Sequence, residues 1–270
     1  MQGLSTQNHP RQSALGVYLY PVLSRRAGGL SLGINLNQDQ RCSFRCRYCQ
    51  VDRSRQPRPQ RPNLGQLEQE LEHFFSQPGA FDLATLKDIA LAGDGEPSLL
   101  ACLPQALRLL EEVKTRHGIK VKTVLFTNGT GLGTPRNQAA LSRLLQGGGE
   151  VWFKLDFWDK ASYHWLNQGR ASRQKILSNL LALGRRFPLV LQTCALRDER
   201  GKGTFQPAPY LAQLKDLLSQ GLQVKKLQLY TLARQPAEPE MHPLADAELD
   251  AHAHCLRQEL GFTVETYYQK

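Results

Sequence analysis

Arg41-Cys42-Ser43-Phe44-Arg45-Cys46-Arg47-Tyr48-Cys49-Gln50 carries three cysteines on one short arc, separated by three residues and then by two. The arc is too tight for a disulfide framework and one ligand short of a closed tetrahedral metal site. Thiolates on one loop can hold three irons of a cubane cluster and leave the fourth open to an exogenous ligand. Zinc, with a histidine from elsewhere as fourth ligand, is the alternative. Cys102, Cys194 and Cys255 are isolated, and no closely spaced histidine pair completes a finger. Spacing favours the cluster and leaves zinc open.

The surroundings of the arc are those of an α/β enzyme. Ser31 to Asn37, just before it, is small, apolar and β-branched and ends in polar Asn35 and Asn37, as a strand delivering a loop would. Beyond the arc, strand-like runs at 88–92, 120–126, 151–156, 189–193 and 223–231 alternate with helical patterns at 63–75, 99–117, 138–145, 172–186, 209–220 and 246–260. Asn63, Ser172 and Asp246 are placed to cap helices, and Gly118 and Gly261 to stop them. Alternation of this kind predicts parallel βαβ units, and six units rather than eight predict an open, partial (βα)6 TIM-like barrel. Residues 1–29 read as an irregular extension with a short strand at 17–20 ending before Pro21; 30–270 read as one domain, closed by a strand at 262–267. In such a barrel the cysteine loop stands where chemistry is placed, at the carboxyl end of a strand.

The chain's 270 residues suffice for one large domain, and 41% hydrophobic content supports a core. No apolar run approaches the ~20 residues of a membrane span, and Met1–Pro10 lacks the regions of a secretory signal. Six cysteines, half of them in one motif, suit a reducing cytoplasm. A formal charge of +10 is compatible with a nucleic acid or another acidic partner. Arg53-Ser54-Arg55-Gln56-Pro57-Arg58-Pro59-Gln60-Arg61-Pro62 cannot form regular structure; it is either a solvated linker or an arginine rim able to hold phosphates.

The cysteine spacing, with Tyr48 directly before the third cysteine, resembles the signature of the radical S-adenosylmethionine (SAM) superfamily. Gly93-Asp94-Gly95-Glu96-Pro97 is similar to its Gly-Gly-Glu-Pro element, with Asp94 where glycine is commonest, and Thr127-Asn128-Gly129 follows a strand as in many members. Ser24-Arg25-Arg26, Ser31-Leu32-Gly33-Ile34-Asn35, Gln50-Val51 and Lys154-Leu155-Asp156 narrow the likeness to the wyosine-synthase-like branch, whose studied members modify a guanosine in tRNA. The resemblance implies the partial barrel, a [4Fe–4S] cluster on Cys42, Cys46 and Cys49, and SAM chelating the unique iron. It implies reductive cleavage to a 5′-deoxyadenosyl radical fed by an external electron donor such as flavodoxin or ferredoxin. Around the cofactor it would place Tyr48 near the adenine, Gly95 and Glu96 near the SAM amino group, and Asn128 near ribose or carboxylate. Lys154 and Asp156 share one face of their strand and either pair with each other or meet SAM and substrate; the second is the expectation. Gln192 and Thr231 end later strands and face the mouth.

The chain departs from the wyosine-forming enzymes in two respects. It has no cysteine before Cys42 for a second cluster, and its first lysine is Lys87, so an amino-terminal Schiff-base lysine is missing. Three readings follow: a radical SAM enzyme acting on RNA or a related nucleotide, a radical SAM activase or peptide-modifying enzyme, and a zinc-binding, non-catalytic nucleic-acid module.

Overall fold

A computed structural model describes residues 15–54, 57–79 and 81–269. The opening decapeptide, and Arg55 and Gln56 of the arginine-rich segment, lie outside the described residues. The chain divides into two compact units, the first drawn from Met1–Cys42, Gln56–Thr127 and Thr134–Val151, the second from Ser43–Arg55, Asn128–Gly133 and Trp152–Lys270.

In the first unit β1 (Leu19–Ser24) pairs antiparallel with β2 (Gly29–Ile34), which pairs parallel with β3 (Leu86–Leu91), and β3 with β4 (Lys122–Thr127). The strand expected to end before Pro21 runs through it, with Pro21 opposite Leu32. β1 lies at the sheet edge, where a missing N–H breaks no ladder bond. Gly33 stands opposite Tyr20, and a Cβ there would enter the Tyr20 ring; the ring lies flat on the strand and its hydroxyl donates to the Ala92 carbonyl at 2.9 Å.

Three helices cover this unit's strands. α1 (Leu64–Ser76) begins at Asn63, whose side chain accepts from the Gln66 N–H, as its sequence predicts. It buries Leu67, Leu71, Phe74 and Phe75. α2 (Leu103–Arg116) starts later than the periodicity suggests, because Pro97–Leu99 first forms a separate 3-10 turn. α3 (Pro135–Gln146) is capped by Thr134.

A polar row crosses these strands near their amino ends. Ser31 Oγ donates to Asp88 Oδ1 at 2.5 Å, Lys122 is the register partner of Asp88, and Lys122 Nζ bonds Glu150 at 2.8 Å. The second oxygen of Asp88 is buried without a hydrogen-bond partner. Burial pushes its carboxyl above the usual range, against the Ser31 hydrogen bond and the Lys122 charge. A carboxyl whose folded pKa is raised contributes stability below its unfolded pKa, and loses it as pH rises through the folded value. Asp88→Asn is therefore expected to gain stability relative to the parent between pH 4 and neutrality; urea titrations at stepped pH read this, and parallel pH curves would contradict it.

In the second unit β5 (Glu150–Lys154) pairs through its last three residues with β6 (Leu189–Cys194), β6 with β7 (Val224–Tyr230), and β7 with β8 (Thr263–Tyr267), all parallel. α4 (Arg173–Gly184), α5 (Pro207–Ser219) and α6 (Asp246–Glu259) alternate with them. Ser172 caps α4 as expected, whereas the cap residue of α6 is Ala245. Asp246 instead sits within the first turn, where its charge complements the helix dipole. Ile176, Leu180 and Leu183 of α4, Tyr210 and Leu214 of α5, and Leu249 and Leu256 of α6 are buried.

Candidate active site

The first unit contributes a turn of tightly packed backbone. Asn35, at the end of β2, donates to Asp94 Oδ2 at 2.7 Å and accepts from the backbone N–H groups of Asp94 and Asn37. The Glu96 N–H reaches the Arg41 carbonyl at 2.9 Å, tying the turn to the residues just before Cys42. At Gly93 a Cβ would overlap Asn35, and at Gly95 it would overlap the Arg41 carbonyl. Glycine is required at both by close approach. Glu96 Oε1 accepts from the Ser98 N–H at 3.0 Å and the Thr127 hydroxyl at 2.6 Å. The buried Oδ1 of Asn37, beside Gly95, has no partner. That acceptor, with the Gly93–Gly95 backbone, suits a cationic amino group.

The second unit anchors the cysteine loop. Arg45 and Arg47 donate backbone N–H bonds to the carbonyls of Asn167 and Leu166, Arg170 donates to the Ser43 carbonyl, and Ala237 to the Cys49 carbonyl. The Arg47 guanidinium lies 4.6 Å from the Trp165 ring and meets Glu238 at 3.3 Å and Glu199 and Glu240 at 3.4 Å. Each tie is to a segment more than a hundred residues away in sequence, so the loop is fixed by tertiary contacts. Cys42, Cys46 and Cys49 are all unbridged and partly exposed. Among the described residues no three Cys, His, Asp or Glu side chains converge closely enough to share one metal ion. In a cubane each thiolate binds its own iron, so its ligands need not meet at one point. Arg53 Nη2 lies 3.9 Å from Cys49 Sγ, which places the start of the arginine segment beside the loop.

Behind this loop lies a buried polar cluster. Asp156 is 1% exposed and accepts four hydrogen bonds. Oδ1 takes Lys154 Nζ at 3.1 Å and the Cys194 N–H at 2.8 Å; Oδ2 takes the Tyr48 hydroxyl and Asn167 Nδ2, the latter at 3.2 Å. Lys154 and Asp156 thus pair with each other. With these four donors Asp156 holds Tyr48 and Lys154 in place. Burial, then the Asp156 charge, drives the Tyr48 phenol well above its ordinary pKa, so it remains a proton donor. Lys154 Nζ also bonds the Tyr230 hydroxyl and lies 5.0 and 4.4 Å from the Tyr48 and Tyr230 ring centres.

Asn167 has no precedent in the sequence reading. It ends a π-helical turn, Tyr163–Asn167, and its Nδ2 lies 3.3 Å from Cys46 Sγ as well as on Asp156. Only the fold connects it to a cysteine 121 residues earlier. Asn128 makes a turn: its Oδ1 accepts from the Thr130 N–H, and its Nδ2 donates to Ser43 Oγ. Gly129 follows with φ +83°, against the Phe153 ring. Gln192 is fully buried on β6 and donates to Gln228 at 2.8 Å. Thr231 accepts from the Leu244 N–H, and Cys194 packs in an apolar cluster with Leu166, Leu196 and Met241.

No family model matches the chain, and no curated protein matches it by sequence. Solved structures do. TYW1 with a lysine-pyruvate adduct bound superposes over 90% of this chain and 84% of its own, with 14% identity and a TM-score of 0.54. Spore photoproduct lyase complexed with dinucleoside spore photoproduct covers 96% and 80%, with 13% identity and a TM-score of 0.57. For anSMEcpe with bound AdoMet the values are 74%, 50%, 15% and 0.51. These are radical SAM enzymes. The chain has their fold, a partial (βα)6 TIM-like barrel with a mostly parallel sheet, as the alternation of strands and helices predicts.

Proposed function

We propose that the protein is a radical SAM enzyme that cleaves SAM reductively at a [4Fe–4S] cluster and modifies RNA or a related nucleotide. The carrying observation is the cysteine loop itself: three partly exposed thiols on a segment pinned by Asn167, whose buried amide donates to the Cys46 sulfur. The residues fit the cofactors. Cys42, Cys46 and Cys49 would hold the cluster, and the Gly93–Gly95 backbone with Asn37 Oδ1 would take the SAM amino group. Tyr48, Asn128, Lys154 and Gln192 would serve the remainder of the cofactor or the substrate, with Asp156 holding Tyr48 and Lys154. When bound, the cluster supplies the electron that breaks the sulfonium bond; the chain supplies orientation and a dry wall.

The nucleotide reading is supported by the +10 charge, by Arg53 beside the loop, and by the likeness to a lyase solved with a dinucleoside. An external flavodoxin or ferredoxin would deliver electrons. No helix among the described residues is long and apolar enough to cross a membrane. Anaerobic incubation of reconstituted protein with SAM and reductant, with and without cellular RNA, tests this. Deoxyadenosine together with an altered nucleoside is expected. Deoxyadenosine with an altered peptide and unchanged RNA would replace the substrate class, and colourless zinc protein that leaves SAM intact would end the enzyme reading.

The Asn167 amide gives a second measurable consequence. A donor on a cluster sulfur stabilises the reduced, more electron-rich state. Asn167→Leu is expected to lower the midpoint potential of the loaded centre by roughly 40 mV for each kcal/mol of lost hydrogen bond. Redox titration followed by electron paramagnetic resonance reads the shift; an unchanged potential would detach Asn167 from the centre.

A further inference from the structure

Four residues stand at one level across the second unit's strands. Lys154 is the register partner of Gln192, Gln192 of Gln228, and Gln228 of Glu265. Partners at the same height in parallel strands share a face of the sheet, so they form one row, and Gln192 and Gln228 are both 0% exposed.

The row has a direction. Glu265 is held as a carboxylate: burial pushes its pKa up, but the hydrogen bonds from Tyr267 and Lys226 outweigh this and hold it low. Tyr267 donates its proton to Glu265 at 2.6 Å, so toward Gln228 it presents an acceptor. Gln228 therefore faces two acceptors on that side and turns its NH₂ to them, at 3.4 Å from Tyr267 and 3.5 Å from Glu265. Its carbonyl then faces β6 and takes the Gln192 NH₂ at 2.8 Å. By elimination Gln192 points its own carbonyl away from Gln228, and that Oε1 is buried with no hydrogen-bond partner. A buried acceptor left unmade is costly, so its persistence calls for a donor that the chain does not provide.

Beside it stands Lys154, with two of its three N–H donors placed on Asp156 and Tyr230. A cation with one free donor, next to a fixed acceptor, matches a carbonyl and an N–H on adjacent atoms. Keto bases carry that pair, guanine as O6 and N1–H and uracil as O4 and N3–H.

We infer that Gln192 is the specificity-determining residue for the substrate, accepting the ring N–H of a keto nucleobase, with its carbonyl aimed by a one-way amide relay anchored on Glu265. This rests on the nucleotide reading above and deepens it.

The test uses reconstituted holoprotein with SAM and four probes: uridine and guanosine 5′-monophosphates and their 3-methyl and 1-methyl forms, which lack the ring N–H. In the parent, methylation is expected to weaken binding by about tenfold or more, as for a site built around one hydrogen bond. Gln192→Leu should bring the methylated and unmethylated forms within about twofold. Glu265→Gln, a near-isosteric change that touches no ligand, should do the same by freeing the relay to reverse, with SAM affinity unchanged. Undiminished discrimination in both variants overturns the inference and leaves the nucleotide reading standing. Loss of SAM affinity in Glu265→Gln with discrimination intact gives the acceptor to the cofactor and overturns it as well. Failure of the parent to bind any nucleotide overturns both.

Discussion

Cys42→Ala, Cys46→Ala and Cys49→Ala are each expected to abolish the 4Fe–4S absorption of anaerobically reconstituted protein and to reduce deoxyadenosine formation by ~10³-fold or more. What remains without the centre is the uncatalysed reaction, which enzymes typically outpace by ~10⁶-fold or more. The three thiols are partly exposed and unbridged, and the loop's ties to Leu166, Asn167, Arg170 and Ala237 are made by backbone groups. Removing the Cys42 or Cys49 sulfur should therefore cost under ~1 kcal/mol of stability, and removing that of Cys46, which accepts from the Asn167 amide, ~1 kcal/mol, with circular dichroism unchanged. That separation is the point of the measurement: a cysteine needed only for packing would lower stability along with activity. Retention of a full cluster and of SAM cleavage in any one variant would remove that cysteine from the ligand set. Cys102→Ala serves as the control. Its thiol pKa is pushed up by burial, which disfavours the thiolate, and its replacement should leave the spectrum intact.

Asp156→Leu should destabilise the fold by about 3–5 kcal/mol, the range for removing one partner from a buried ion pair. Four donors lose their acceptor at once: Lys154 Nζ, the Cys194 N–H, the Tyr48 hydroxyl and Asn167 Nδ2. Asp156→Asn keeps one acceptor oxygen and turns an NH₂ toward two of those donors, for an expected loss of ~1–3 kcal/mol. Tyr48→Phe removes one donor of the four and should cost ~1 kcal/mol. Urea denaturation of the three variants checks the order, Leu worst and Phe mildest. An Asp156→Leu protein as stable as its parent would show that the cluster is open to water and that the carboxylate is not its hub. Because Asp156 also orients Tyr48 and Lys154, the Asn variant should lose SAM cleavage out of proportion to its stability.

The cysteine and Asp156 variants probe different parts of what the residue order encodes. Asn63 and Ser172 cap their helices because capping is local: an acceptor three residues before an N–H needs nothing from the rest of the chain. The alternation of β-branched runs with 3.6-residue periodicity is likewise written within each segment, and so are the cysteine spacing and the Asn-Gly turn. Where local signals fail, a distant partner decides. Pro21 does not end β1, because the ladder it would break lies only on the other side. Glu96 Oε1 takes the Thr127 hydroxyl as well as the Ser98 N–H because β4 delivers that hydroxyl to it.

By itself the sequence determined the α/β class, the six strand–helix repeats and the loop that carries the cysteines, since each depends on neighbours within a few positions. Only the tertiary structure decided that Asn167 reaches Cys46, that Asp156 is enclosed by four donors, and that Glu265 aims the carbonyl of Gln192 through Gln228. Hydrogen bonds are directional and short, so which donor meets which acceptor is settled by strand register and loop path, and neither is written in any one segment.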